Sequence, residues 1–200
     1  MNSIIVLGAD RVGKSTAIRN SKDLMVRCGY KTEVIHFTGI LPIHHSPSQQ
    51  FIGRLNWLEP DLIDHLLIDR FVSDTVFYEP YRYKMPRIND SVCEEVESVL
   101  FGMSDKVSII LVYHDWDERL EERHREEVLA EHPNSSLFWV NSQIEKRRLE
   151  HVAYYEHTER YIESVTSIQN VHYLNANVLS ESVLSLEMSG GFDYSSLKAK

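Results

Sequence analysis

The chain has 200 residues, enough for one domain with a substantial core, and its 42% hydrophobic and 26% charged residues are typical of a soluble globular protein. With 21 basic and 30 acidic residues the net charge is −9, which leaves no overall electrostatic footprint for nucleic acid, although an anionic small ligand can bind where a few arginines gather in one cleft. Its two cysteines, Cys28 and Cys93, form no CxxC pair, which argues against a disulfide scaffold or zinc site and suits a reducing compartment with both thiols inert in packing.

The N-terminus MNSIIVLGAD lacks a basic n-region, and no stretch approaches the length of a membrane span, so a cytoplasmic protein without a membrane partner is expected. Ser3–Leu7 is a short apolar, β-branched run ended by a glycine, the signature of a buried strand. From Gly13, the residues Ala17, Ile18, Leu24, Met25 and Cys28 recur at helical spacing, and Gly29 supplies a stop. KTEVIHF (31–37) reads as the second strand, and Thr38 to Gln50, with Gly39, Pro42 and Pro47, as a loop. LEPDLIDH reads as helical with Pro60 near its first turn, and LLID (66–69) as the third strand. RFVSDTVFYEP reads as an aromatic-rich helix start or loop, followed by a helix from Asn89 to about Phe101. KVSIILVY (106–113) is the clearest strand. A charged helix follows from Asp117 to Leu129, then a break at Pro133–Ser136 and a longer helix to Val165. VHYLNA (171–176) is the last strand, LSESVLSLEM the last helix, and 189–200 a frayed tail. Strands alternating with helices predict a single α/β domain over 1–188 with a parallel sheet of five strands.

Between the first strand and first helix, Gly8-x4-Gly13-Lys14-Ser15 fits the phosphate-loop pattern GxxxxGK[ST] in the context it requires. Backbone N–H groups over Gly8, Arg11, Val12, Gly13 and Thr16 and the helix N-terminus offer partial positive charge to the phosphates of ATP. Lys14 reaches the transferring phosphate and the Ser15 hydroxyl serves Mg²⁺. No guanine-reading NKxD element is present, and the chain is short for a motor.

The full stretch GADRVGKST resembles the phosphate loop of the thymidylate kinases, GxDxxGKST, in the members that carry an arginine after the aspartate. The resemblance implies a P-loop nucleoside-monophosphate-kinase fold, with helices flanking the sheet and a small helical lid over about 118–142. It also implies a homodimer using Mg²⁺ and ATP with a (deoxy)nucleoside monophosphate such as dTMP. It makes Asp10 a contact to the acceptor's 3′-hydroxyl and Arg11 a catalytic clamp on the γ-phosphoryl; the plainer alternative is a surface ion pair. LLIDRFVSDTVFY resembles the family's second signature, a strand ending in Asp-Arg-Tyr. It implies Mg²⁺ held by Asp69 through water, the acceptor phosphate on Arg70, and a base pocket reached by Tyr78. Phe71 replaces the tyrosine, and Asp74 stands in the acceptor region where the family usually has serine. Phe51 and Arg54 are the candidates for stacking on the acceptor base and reading its carbonyl edge, against a core phenylalanine and a surface arginine; Trp57 reads as core.

Deoxynucleoside kinases place a glutamate just after the second strand to deprotonate a sugar hydroxyl, whereas this chain reads HFTGI there. A monophosphate needs no such base, so catalysis would rest on positioning and charge stabilisation by Arg11, Lys14 and Arg70. DWDERLEERHREE resembles the helix entering the lid. There Arg123 would pack on adenine and Arg125 reach phosphate, beside Arg119, unless the segment is simply a solvated charged helix. Members lacking a loop arginine carry RGxxDRxE in the lid; its absence here agrees with Arg11 taking that role. Ala176 and Asn177 fall where the family's backbone meets adenine, and Tyr154 and Tyr155 read as core or acceptor pocket. The ten histidines show no metal-ligand spacing. Two other readings stay open: a kinase for a deoxynucleoside or a hydroxymethylated pyrimidine, and a non-catalytic nucleotide-binding module.

Overall fold

The structure, a computed structural model, describes residues 1–37, 46–82, 88–165 and 167–176, with side chains omitted at 81 and 82. The last predicted helix, the tail over 189–200 and Asn177 lie outside the described residues. Five strands run β1 (Asn2–Leu7), β2 (Thr32–His36), β3 (His65–Asp69), β4 (Lys106–Tyr113) and β5 (Asn170–Asn175). They form one sheet of order β2-β3-β1-β4-β5, parallel at every pairing. The helices are α1 (Lys14–Arg27), α2 (Pro47–Asn56), α3 (Val72–Arg82), α4 (Asp90–Met103), α5 (Glu118–Glu131) and α6 (Leu137–Ser164). This is the predicted P-loop α/β architecture, with the phosphate loop leaving the central strand.

A parallel sheet covered on both faces must present apolar side chains alternately to each. On one face Ile5, Leu7, Leu66, Ile68, Ile109 and Leu111 meet α2 and α4 through Phe51, Leu55, Val96 and Leu100. On the other, Val6, Leu67, Ile110 and Val112 meet α1 through Ala17, Ile18 and Met25. The long helix α6 serves both, with Tyr154 in the second cluster and Tyr155 and Tyr161 against the first. α5 and α6 pack on one another over a small core of Val128, Val140 and Ile144. Asp117 caps α5 through the Leu120 amide at 2.8 Å, and Ser136 caps α6 after the break at Pro133.

Several expectations change. Pro47 and Gln50 belong to α2 rather than to a loop, because proline at the first helical position forfeits no intrahelical bond. LEPDLIDH forms only a short 3₁₀ turn over Pro60–Leu62. Trp57, expected in the core, is 89% exposed just beyond the end of α2, and Cys28 is exposed at the end of α1. Cys93 does pack, and burial pushes its thiol up to about 12. No helix among the described residues is long and apolar enough to cross a membrane.

Candidate active site

The carboxyl ends of β1, β2 and β3, the phosphate loop, α3, α5 and α6 enclose a cleft of about 860 Å³. Its place, outside the carboxyl ends of parallel strands, is where open α/β sheets bind ligands. Gly8 opens the loop because a side chain cannot fit there: a Cβ would stand 2.5 Å from the Val112 carbonyl oxygen. Gly13 turns the chain into α1 with φ 101°, and the first turn of α1 carries no acidic residue to compete for its amides. Lys14 is 7% exposed, its Nζ donating to the Gly8 and Ala9 carbonyls at 2.5 and 2.6 Å. Burial, then Arg70 nearby, pulls its pKa down from the usual lysine range.

Arg11 and Arg70 are the non-glycine residues with left-handed backbones among those described, at φ 68° and 66°. Such a conformation costs roughly 1–2 kcal/mol for a residue bearing a Cβ, and strain of this kind collects at functional sites. Arg70 Nη2 donates to Asp10 Oδ1 at 2.5 Å, and its guanidinium lies 5.5 Å from the centre of the Tyr78 ring. Burial opposes ionisation of Asp10, but Arg70 and Lys14 outweigh it and hold the carboxyl below its ordinary range. Asp69, 8% exposed at the end of β3, places Oδ2 2.8 Å from His36 Nδ1, while its Oδ1 is buried without a hydrogen-bond partner.

Glu127 on α5 accepts from Arg11 Nε and Nη2, one edge of the guanidinium, and from Arg147 Nη1 at 2.5 Å. Burial would raise the Glu127 carboxyl, yet the bonds from Arg11 and Arg147 bring it below the usual range. His124, beneath them, stacks on Trp116 with ring centres 5.1 Å apart and faces Arg147 Nη1 at 3.2 Å. Burial and then Arg147 lower its pKa to about 4.

The cleft thus brings together Asp10, Arg11, Gly13, Lys14, Ser15, Thr16, Asp69, Arg70, Tyr78 and Arg123. Val12 is buried beneath the loop, 1% exposed. Arg123 donates weakly, at 3.5 Å, to the Arg11 carbonyl. Arg125 turns away instead, to Glu121 at 3.0 Å and Asn141 at 2.8 Å, because α5 aims it along the α6 seam. Phe51 requires correction as a base-stacking residue: it is fully buried, packed against Phe37 and Phe71, and offers no ring face to the cleft. Arg54 crosses instead to the His36 carbonyl and the Phe37 ring. Asp74 is fully buried beneath the cleft rather than lining it, and Ala176 lies at the end of β5, away from the cleft wall.

Residues the sequence reading passed over complete the wall: His36, His124, Glu127, Arg147, Glu150 and His151. A signal existed for some of them. His124 falls between Leu120 and Val128 at spacing four, and Arg147, His151 and Tyr154 share one face of α6.

The donor set fits a hard cation beside phosphate: an unpartnered carboxylate oxygen on Asp69 and the hydroxyl of Ser15 border the same cleft. Among the described residues, no group of three or more His, Cys, Asp or Glu stands ready to hold a metal without a ligand's help.

No family model matches the sequence, and no curated protein matches it. Among solved structures, the chain is similar to APE1195, at 15% identity and a TM-score of 0.44, over 94% of this chain and 93% of that one. It is also similar to a deoxyadenosine kinase from M. mycoides bound to dCMP and dCDP, at 17% identity and a TM-score of 0.34, over 94% and 97%.

Proposed function

We propose that the protein transfers the γ-phosphoryl group of Mg-ATP to a (deoxy)nucleoside 5′-monophosphate, with dTMP or a related deoxynucleotide as acceptor. One observation carries the reading. In a chain of net charge −9, Arg11, Lys14, Arg70, Arg123 and Arg147 converge on a single cleft. Such a concentration of cations suits two polyanionic substrates meeting at their phosphates. The left-handed backbones of Arg11 and Arg70 support it, since both arginines are held at a conformational cost.

In this reading the loop amides and Lys14 hold the ATP phosphates, and Arg70 presents its planar donor fork to the acceptor phosphate. Arg11, Lys14 and Arg70 then stabilise charge on the phosphoryl group in flight, while Asp10, beside Arg70, faces the acceptor sugar. Asp69 and Ser15 would hold Mg²⁺, which would supply positive charge against the phosphates. The acceptor oxygen is already ionised, so no residue need remove a proton from it. A coupled assay of ATP with dTMP, dUMP, dCMP, dGMP and dAMP tests the proposal; no diphosphate from any of them would sink it.

A second reading, a hydroxyl acceptor as in a deoxynucleoside kinase, is favoured by His36. It stands at the end of β2, hydrogen-bonded to Asp69, where it gives a hydroxyl a partner on the cleft wall. Transfer to nucleosides but not to monophosphates would select that reading.

A further inference from the structure

The carboxylate of Asp74 lies beneath the cleft with both oxygens engaged. Oδ2 accepts from the Phe71 amide at 2.9 Å, and Oδ1 accepts from the Tyr154 hydroxyl at 2.7 Å. The same hydroxyl accepts from the Gly8 amide at 2.9 Å. All three groups are sealed from water, with Asp74 at 0% and Tyr154 at 1% exposure.

Each end of this chain of bonds meets a different half of the cleft. Asp74 is the third residue of α3, and its bond to Phe71, the residue before the helix, is the reaching-back half of a capping box. That bond fixes the peptide directly after Arg70, whose left-handed backbone aims the guanidinium at Asp10. At the other end, Gly8 begins the phosphate loop, and its carbonyl is already held by Lys14. A neutral side chain of the same size offers one acceptor oxygen and could serve only one of the two donors. An aspartate serves both; burial pushes its carboxyl above the usual range, and the nearby cations Lys14 and Arg70 counter that only in part.

We infer that Asp74 and Tyr154 are positioning residues that set the distance between the phosphate loop and Arg70, and so align donor with acceptor. The inference rests on the proposed phosphotransferase reading, but part of its test does not require turnover. Tyr154→Phe removes only the bridging oxygen, leaving the Gly8 amide and Asp74 Oδ1 unpaired. Thr158→Val is the control. It removes a different buried hydroxyl from α6, one that donates to the Tyr154 carbonyl at 2.9 Å rather than to the phosphate loop or α3.

If the tie positions the site, Tyr154→Phe weakens ADP binding about 3- to 10-fold and lowers kcat by a further factor of roughly 10–100. Thr158→Val lowers Tm yet leaves ADP affinity and kcat within about twofold of wild type. Asp74→Asn, which keeps one acceptor oxygen and turns an NH₂ toward the remaining donor, likewise lowers kcat at unchanged fold by circular dichroism. ADP affinity and kcat in Tyr154→Phe no lower than in Thr158→Val would overturn the tie. Should the wild-type chain bind ADP but phosphorylate no acceptor, the proposed function fails while the tie is still decided by ADP affinity. A wild-type chain that binds no ADP would sink both.

Discussion

The two ends of the phosphate loop are held by opposite kinds of interaction. Gly8 is fixed by buried, uncharged contacts: the Tyr154 hydroxyl on its amide, and the Val112 carbonyl where a side chain would be. Arg11, three residues on, is half exposed and held by the α5 carboxylate Glu127, which also holds Arg147. Buried hydrogen bonds of the first kind are costly to break and insensitive to salt. Exposed ion pairs of the second kind contribute little and exchange readily for another anion. One end is therefore built to stay and the other to trade Glu127 for phosphate, and each can be attacked separately.

The largest effect is expected at the fixed end. Gly8→Ala drives a Cβ against the Val112 oxygen at 2.5 Å, a backbone atom of the central sheet that cannot swing aside. The loop must shift, and ADP binding measured by calorimetry should weaken at least about 100-fold. Near-wild-type affinity would show that the Gly8 end is not the rigid one. At the exchangeable end, Arg11→Ala should lower kcat by at least about 100-fold while changing KM for ATP less than about threefold, because Arg11 contributes far more when charge develops than when the nucleotide binds. An unchanged kcat would remove it from the mechanism.

The same contrast explains what could be read from sequence. β4 was legible to the residue because KVSIILVY is apolar on both faces, as only a central parallel strand requires. The phosphate loop and Asp69-Arg70 were legible because their chemistry is local: a few adjacent residues at a strand end. The tie between Gly8 and Asp74 was not, since it runs through Tyr154, 146 residues from Gly8, and nothing in YY distinguishes a bridging hydroxyl from a packed ring. Phe51 misled for a related reason. Its spacing marks an apolar helix face without saying whether that face meets a ligand or the core, and α2 turns it onto Phe37 and Phe71. The left-handed backbones of Arg11 and Arg70 leave no trace in residue type, because arginine there is chosen against local preference.

A pH titration probes the ground under the exchangeable end. His124 titrates near its ordinary value of 6.5 in the unfolded chain but near about 4 when folded, because burial and Arg147 disfavour its charge. As pH falls from about 6.5 towards 4 the unfolded state takes up a proton that the folded state refuses, so stability is lost across that window and is unaffected above it. The loss should be on the order of 2 kcal/mol. Urea midpoints at about pH 7.5 and 4.5 would show it, and His124→Gln should flatten the difference. An equal slope in the variant would mean that the acid sensitivity lies elsewhere, in Glu127 and its arginines.

The smallest expected effect is the sharpest test of exchange. Glu127→Gln removes the negative charge that occupies Arg11 and Arg147 but keeps an oxygen able to accept from one of them. If phosphate must displace Glu127, freeing both arginines should tighten ADP binding by about two- to fivefold at low salt, and the gain should shrink as salt screens the competing charges. Were Glu127 instead a strut that aims the arginines at the ligand, the same substitution would weaken binding. The sign alone separates the two, because a competitor and a strut occupy the same position but act in opposite directions once the charge is gone.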